Sequence, residues 1–297
     1  MNKKYEFTGE VKVVFGRTLH RIRATVAFGN VEKDEIGGWI ENESNLSHEG
    51  NAWVSGNAWV SGNAKVYGDA EVSGNAKVYG NAKVYGDAKV YGNAKVYGDA
   101  EVYGDAEVSG NAWVYGNAKV YGDAEVYGDT EVCGDAEVYG NAKVYGDAEV
   151  YGDAKVSGNA KVYGNAKVSG NAWVYGNAKV YGDAEVSGNA KVYGNAKVYG
   201  DAKVYGNAKV YGDAEVYGDA HYLTVGPIGS RGGFTTFFRT KSLEIGVTCG
   251  CFSGDIQTFA KKVEETHGGN DHAKRYAAAI ELAKVCIDLS ANAEETD

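Results

Sequence analysis

The chain has 297 residues, with 43 glycines and a single proline, a balance that excludes collagen and proline-rich linkers. Hydrophobic residues make up 44% and charged residues 24%, ordinary for a folded soluble protein, and a net charge of −10 argues against nucleic-acid binding by bulk electrostatics. The four cysteines (Cys133, Cys249, Cys251, Cys286) follow no disulfide pattern, and no run of about 18 apolar residues offers a membrane span.

The N-terminus carries basic residues with no apolar run behind them, so it does not read as a secretory signal, and the expected compartment is the cytoplasm. Residues 1–50 predict a β cap. Val11–Phe15 and Arg21–Val26 read as short strands. They lead into Phe28–Gly50, where Trp39, Ile40 and Leu46 are expected to plug the start of the next domain and His48 reads as a surface residue.

From Asn51 to Gly218 the chain is 28 consecutive hexads without insertion or deletion, of the form Asn/Asp-Ala-Lys/Glu/Trp-Val-Tyr/Ser-Gly. Position four is always valine, position six always glycine, and position two is alanine except at Thr130. Alanine and valine two apart face the same side of a strand, and the residue between them faces away. The Gly-Asn/Asp step suits a corner, because these residues tolerate positive φ. One hexad cannot bury its apolar side alone, but three closing into a triangular coil can, with the next coil stacked above. The expectation is a prism of about nine coils, on the order of 45 Å long at about 4.8 Å per coil. Its interior would hold only valine and alanine, with no space for a ligand.

This block resembles the hexapeptide-repeat, left-handed parallel β-helix family, whose motif is aliphatic-x-x-x-small-x; Val54–Trp59 (Val-Ser-Gly-Asn-Ala-Trp) matches it, and the match continues through Val216. The left hand is implied by the resemblance alone; a right-handed β-helix, as in bactofilin filaments, is the alternative. Within Phe28–Gly50, the elements Gly-Gly-Trp-Ile and Asn-Leu-Ser-x-x-Gly, together with Arg-Ile-x-Ala before them, resemble the cap of an uncharacterised group of bacterial and phage hexapeptide proteins, some of them named as transferases.

Position three carries 15 Lys, 9 Glu and 4 Trp (Trp53, Trp59, Trp113, Trp173), and every one of these Glu follows an Asp at position one. This pattern fits either duplicated cassettes or charge patterning that keeps the faces soluble. Position five carries 20 Tyr. At 18-residue spacing, Tyr127, Tyr145, Tyr163, Tyr181, Tyr199 and Tyr217 form one expected ladder, which either covers a corner or serves as an interface for self-association or a partner. Asp69, Asp87, Asp105 and Asp123 stack likewise; they could collect a hard cation, but a solvated corner with side chains turned to backbone amides is the simpler reading.

The family's characterised members include CoA-dependent acyltransferases, which need a histidine base, and His-ligated carbonic anhydrases. The repeat block has no histidine; His20, His48, His221, His267 and His272 all lie in the flanks without a metal-ligand spacing. No catalytic residue, metal or cofactor is therefore assigned.

Residues 221–297 predict a small α+β domain covering the last coil. Tyr222–Val225, Thr235–Arg239 and Ile245–Cys249 read as strands. Asp255 to His267 reads as a helix with Asp255 as N-cap, and Asp271 to Leu289 as a second, with Tyr276, Ala277, Ile280 and Ile287 on its apolar face. The tail Ala293–Asp297 is acidic and expected to fray. Val225–Gly233 is glycine-rich and contains Arg231; with Arg239 and Lys241 it forms a candidate anion site, the alternative being a plain hairpin with surface bases. Cys249-Gly-Cys251 lacks redox or zinc spacing and reads as strand packing.

The reading is a mainly β protein: a cap (1–50), a hexapeptide β-helix (51–220) and an α+β domain (221–297). The expected role is a non-enzymatic scaffold or interaction module, of phage or prophage origin, with a protein partner or homotrimeric self-association and no nucleic acid or membrane. The alternatives are an acyltransferase, which would place the base at His48 or His221, and a fibre element stacking end to end.

Overall fold

Alternation of alanine and valine inside with charged, aromatic or tryptophan side chains outside produces two-residue strands, each followed by a turn. The computed structural model describes residues 3–290, and the expectation for the acidic tail falls outside them. The chain divides into two compact units, Met1–Asn159 and Ala160–Asp297. Both contain parallel β-solenoid, about 10 turns in all. Two helices and a small antiparallel sheet lie at the C-terminus.

In the first unit each strand pairs in register with the one 18 residues later, so three parallel sheets run along three faces. One carries Trp53, Glu71, Lys89, Glu107, Glu125 and Lys143 on its outer side. Each hexad donates three backbone hydrogen bonds to the following coil, as in Lys65 N–H to Ala82 O (2.9 Å), Tyr67 N–H to Val84 O (3.1 Å) and Asp69 N–H to Gly86 O (2.8 Å). The second unit repeats the pattern, with Lys161 paired to Lys179, Lys179 to Lys197 and Lys197 to Glu215 on one face. The interior is as expected: repeat valines and alanines are 0–1% exposed. Thr130, at 0%, sits among them. The glycine of each corner, not the asparagine or aspartate, takes the left-handed conformation, with φ of +60° to +86° from Gly56 to Gly212.

Because coils donate N–H groups forward, the first coil presents unpaired carbonyls, and the cap supplies donors. Strands β1 (Tyr5–Val14), β2 (Arg17–Ala24) and β3 (Ile36–Ile40) form an antiparallel meander, and β3 then runs parallel to the first solenoid layer, with Trp39 beside Trp59 and Ile40 beside Val60. Backbone N–H groups of Trp39, Glu41 and Ser47 donate to Ala58, Val60 and Val66. The Lys4 ammonium donates to Ala52 O (2.8 Å) and the Asn45 amide to Ala64 O (2.8 Å) and Gly62 O (2.9 Å). Ile40 and Leu46 do plug the interior, at 0% and 1% exposure, but Trp39 does not. Its ring lies on the outer face under the cations of Lys12 (4.3 Å) and Arg21 (5.0 Å), because Gly38, not Trp39, occupies the alanine phase.

In the second unit the need is reversed, since the final coil presents unpaired N–H groups. The terminal domain supplies acceptors: Thr236 Oγ1 takes Lys209 N–H (3.0 Å) and His221 Nδ1 takes Tyr217 N–H (3.2 Å). Its sheet comprises Tyr222–Ile228, Gly233–Arg239, Ile245–Cys249 and Phe252–Asp255, the last a strand the sequence reading missed. Helix α1 (Ile256–His267) is capped by Asp255, whose carboxylate accepts Thr258 N–H at 2.7 Å. Helix α2 (Asp271–Cys286) ends earlier than expected, and its buried stripe is Ala273, Tyr276, Ala279, Ile280 and Ala283, with Ala277 exposed. No helix among the described residues is long and apolar enough to cross a membrane.

Candidate functional site

The outward residues form ladders between coils. Asparagine amides donate to the next side chain up, as in Asn57 to Asn75 (3.3 Å), Asn75 to Asn93 (3.2 Å), Asn93 to Asn111 (3.0 Å) and Asn111 to Asp129 (2.6 Å). The expected turn toward backbone amides is seen at Asp69, which accepts Asn51 N–H at 2.9 Å, whereas Asp99, Asp129 and Asp135 accept from the asparagine amide one coil before. An amide both donates and accepts, whereas a carboxylate only accepts, so an aspartate ends the run. Asp69, Asp87 and Asp105 border an open trough of about 630 Å³ with Glu71, Lys89 and Glu107. Among the described residues no group of three or more His, Cys, Asp or Glu side chains is placed to hold a metal ion.

Glutamates at position three are held by neighbouring coils, Glu101 by the coil before it and Glu125 by Lys143 of the coil after it (2.7 Å). Glu101 accepts from Lys83 (2.8 Å) and from the Tyr85 hydroxyl (3.3 Å), and the hydroxyls of Tyr91, Tyr115 and Tyr121 reach Glu107, Glu131 and Glu137 at 3.0–3.1 Å. Burial is the first cause that raises the Tyr85 and Tyr121 phenols above their ordinary range, with the adjacent glutamates adding to it.

The predicted tyrosine ladder is present within each unit. Tyr127 and Tyr145 stack at 5.0 Å and 2°. Tyr163, Tyr181 and Tyr199 stack at 4.9 and 5.0 Å within 3° of parallel, and Tyr217 follows at 5.3 Å. His221 lies 3.8 Å from the Tyr217 ring centroid, and the Arg239 guanidinium lies 4.9 Å from it. Ring faces inside such a stack are covered by their neighbours, so a partner reaches ring edges and hydroxyls only.

The three candidate anion-binding side chains are placed differently. Arg239 is buried (1% exposed) and donates to Ser290 O at 3.2 Å. The strand from Thr235 to Arg239 is covered on both faces, so alternation gave no sign of this. Lys241 is exposed, and its backbone N–H donates to Asp213 O at 3.0 Å. Arg231 is exposed and lines an open pocket of about 460 Å³, called the cavity below. Ile228, Phe252, Phe259, Val263 and Tyr276 form its apolar walls; Ser230, Gly233, Cys249, Gly250, Cys251, Lys262, Thr266 and His267 complete the lining. Sequence reasoning missed this cavity because two hairpin tips and the end of α1 build it. Thr235 Oγ1 donates to Cys249 Sγ (3.1 Å), and that thiol lies 3.5 Å from the Tyr276 hydroxyl. Burial pushes the Tyr276 phenol up to about 12. Cys249 packs in the sheet as expected, while Cys251 is exposed on the turn. His267 and His272, separated in sequence by the Gly268–Gly269 break, come within 5.7 Å across the α1–α2 corner.

The histidines that an acyltransferase would use are engaged otherwise. His48 stacks on Tyr5 at 4.2 Å, and its Nδ1 accepts Lys4 N–H at 3.2 Å. His221 is 4% exposed and spends Nδ1 on Tyr217 N–H. Burial lowers the pKa of both.

The family model of the YdcK beta solenoid repeat matches residues 160–176. No curated protein matches the chain.

Proposed function

We propose that this β-solenoid repeat protein is a non-enzymatic scaffold of the left-handed hexapeptide type. Residues 1–50 cap it, residues 51–220 act as a rigid spacer, and residues 221–297 are its recognition domain. The observation that carries the reading is the uniformity of the repeat: an interior of valine and alanine at 0–1% exposure, outward groups bonded to equivalent groups one coil away, and cap histidines used as backbone acceptors. Such a stack offers stiffness and length and leaves no space inside for a substrate. Exposed tyrosine edges support self-association, for which a homotrimer is the proposed form, and a protein partner in the cytoplasm.

Two measurements test this. Incubation with acetyl-CoA and a panel of amine and hydroxyl acceptors should release no CoA above the uncatalysed rate; release that is lost in His48→Ala or His221→Ala would establish the acyltransferase instead. A native mass spectrum should show three chains together or a chain with a second polypeptide; a lone chain at micromolar concentration in host extract would contradict the interaction role.

A further inference from the structure

We propose that the cavity in the terminal domain is a binding site for a small apolar carboxylate. The inference rests on that cavity alone and stands whether or not the solenoid serves as a scaffold. At about 460 Å³ the cavity has the size of a small-molecule site. Its walls are aromatic and aliphatic, yet its charged lining groups are all of one sign: Arg231 and Lys262 line it and no aspartate or glutamate does. In a chain of net charge −10 that is a local inversion, and it selects an anion over a cation or a neutral ligand.

The polar atoms present agree. Thr235 donates to Cys249 Sγ, and the Tyr276 hydroxyl meets that sulfur only at 3.5 Å, a weak contact that leaves the phenol proton available to a stronger acceptor. Tyr276 is only 8% exposed, so a group that accepts from it must enter the cavity. Arginine, lysine and tyrosine all donate, and a carboxylate only accepts. The glycine-rich hairpin makes the geometry possible. Gly229 has φ +75°, and a Cβ there would lie 2.0 Å from the Tyr276 hydroxyl, so the loop presses on the tyrosine and carries Arg231 to the cavity. Lys262 shares its charge with Glu265 at 3.2 Å, but both are well exposed and that pair is weak.

The test uses the full-length chain with octanoate and its uncharged counterpart octan-1-ol, followed by calorimetry and by the rate at which a maleimide modifies Cys251. Octanoate should saturate below about 1 mM, slow Cys251 modification, and bind at least about tenfold more tightly than octanol. Arg231→Gln should weaken octanoate by about tenfold. Thr266→Trp, at an exposed position of the lining, should abolish binding while the circular dichroism spectrum stays unchanged. Absence of saturable binding would overturn the proposal, as would equal binding of octanol. A tripeptide ending in free leucine that binds more tightly than octanoate would also overturn it, because the occupant would then be a partner's carboxy-terminus.

Discussion

Gly194 and Gly206 sit in identical local sequence, Lys-Val-Tyr-Gly-Asn-Ala, and take nearly the same backbone conformation, φ +73° and +69°. They differ in what lies beside them. A Cβ on Gly194 would stand 2.8 Å from Gly212 N and 3.2 Å from its Cα, whereas a Cβ on Gly206 would meet nothing within 4 Å. Alanine at either site adopts a left-handed conformation at about 1–2 kcal/mol, offset by about 0.4–1 kcal/mol from restricting the unfolded chain. Gly206→Ala should therefore cost roughly 0.5–1 kcal/mol. Gly194→Ala adds a collision with backbone that is itself hydrogen-bonded, and overpacking of that kind costs about 1–3 kcal/mol more. Urea unfolding followed by circular dichroism gives both values, and exchange of the Asn195 amide, bonded to Gly212 O at 2.9 Å, reports the local effect. Equal costs for the two variants would refute the argument, since glycine would then be needed for φ alone and adjacent coils would not be in rigid contact.

Other outcomes follow from single residues. Thr130 is fully buried, and its hydroxyl finds no partner among the described contacts, so Thr130→Ala should raise stability by up to about 1 kcal/mol in urea; a loss would mean the hydroxyl is satisfied. Val120→Ala should cost about 2–3 kcal/mol, because the coils above and below cannot close over the lost methyls. Burial first, then the Arg239 charge, holds the pKa of His221 below its usual 6.5, so the unfolded chain takes up a proton that the folded chain refuses. Stability from this group is full above pH 6.5 and is lost as pH falls toward the folded value; the protection factor of the Tyr217 amide, its exchange measured against the intrinsic rate at each pH, should fall over that window in the native chain and stay flat in His221→Asn. The Tyr85 and Tyr121 phenols shift the other way, so absorbance at alkaline pH should lose, in a Tyr85→Phe, Tyr121→Phe chain, a component that ionises above free tyrosine.

The solenoid was legible because a strict period leaves one way to bury alanine and valine together. Less visible was what each outward residue does, since that depends on the coil above. Trp39 looked like a plug because tryptophan is large and apolar. Aligning Gly38-Trp39-Ile40 with Ala58-Trp59-Val60 would have put it on the surface, where it pairs with Trp59. Arg239 looked like a surface base because the strand around it has no polar face against which to set it. The cavity around Tyr276 had only one trace in the sequence, the glycine-rich stretch at Arg231, since the groups it brings together are far apart along the chain. The N-terminal donors and C-terminal acceptors were also hidden: Lys4, Asn45, Thr236 and His221 are ordinary residues until the direction of the coil hydrogen bonds is known.

The central claim is that identical coils stack at a fixed rise to make a stiff spacer. Spin labels at Asn57→Cys and Asp147→Cys, five coils apart in a chain whose native cysteines are serines, test it by pulsed electron resonance. The account predicts one narrow distance distribution near 24 Å before label length, at about 4.8 Å per coil, and a shortening of about 5 Å when residues 87–104 are removed. A broad distribution, or a distance unchanged by that deletion, would contradict it.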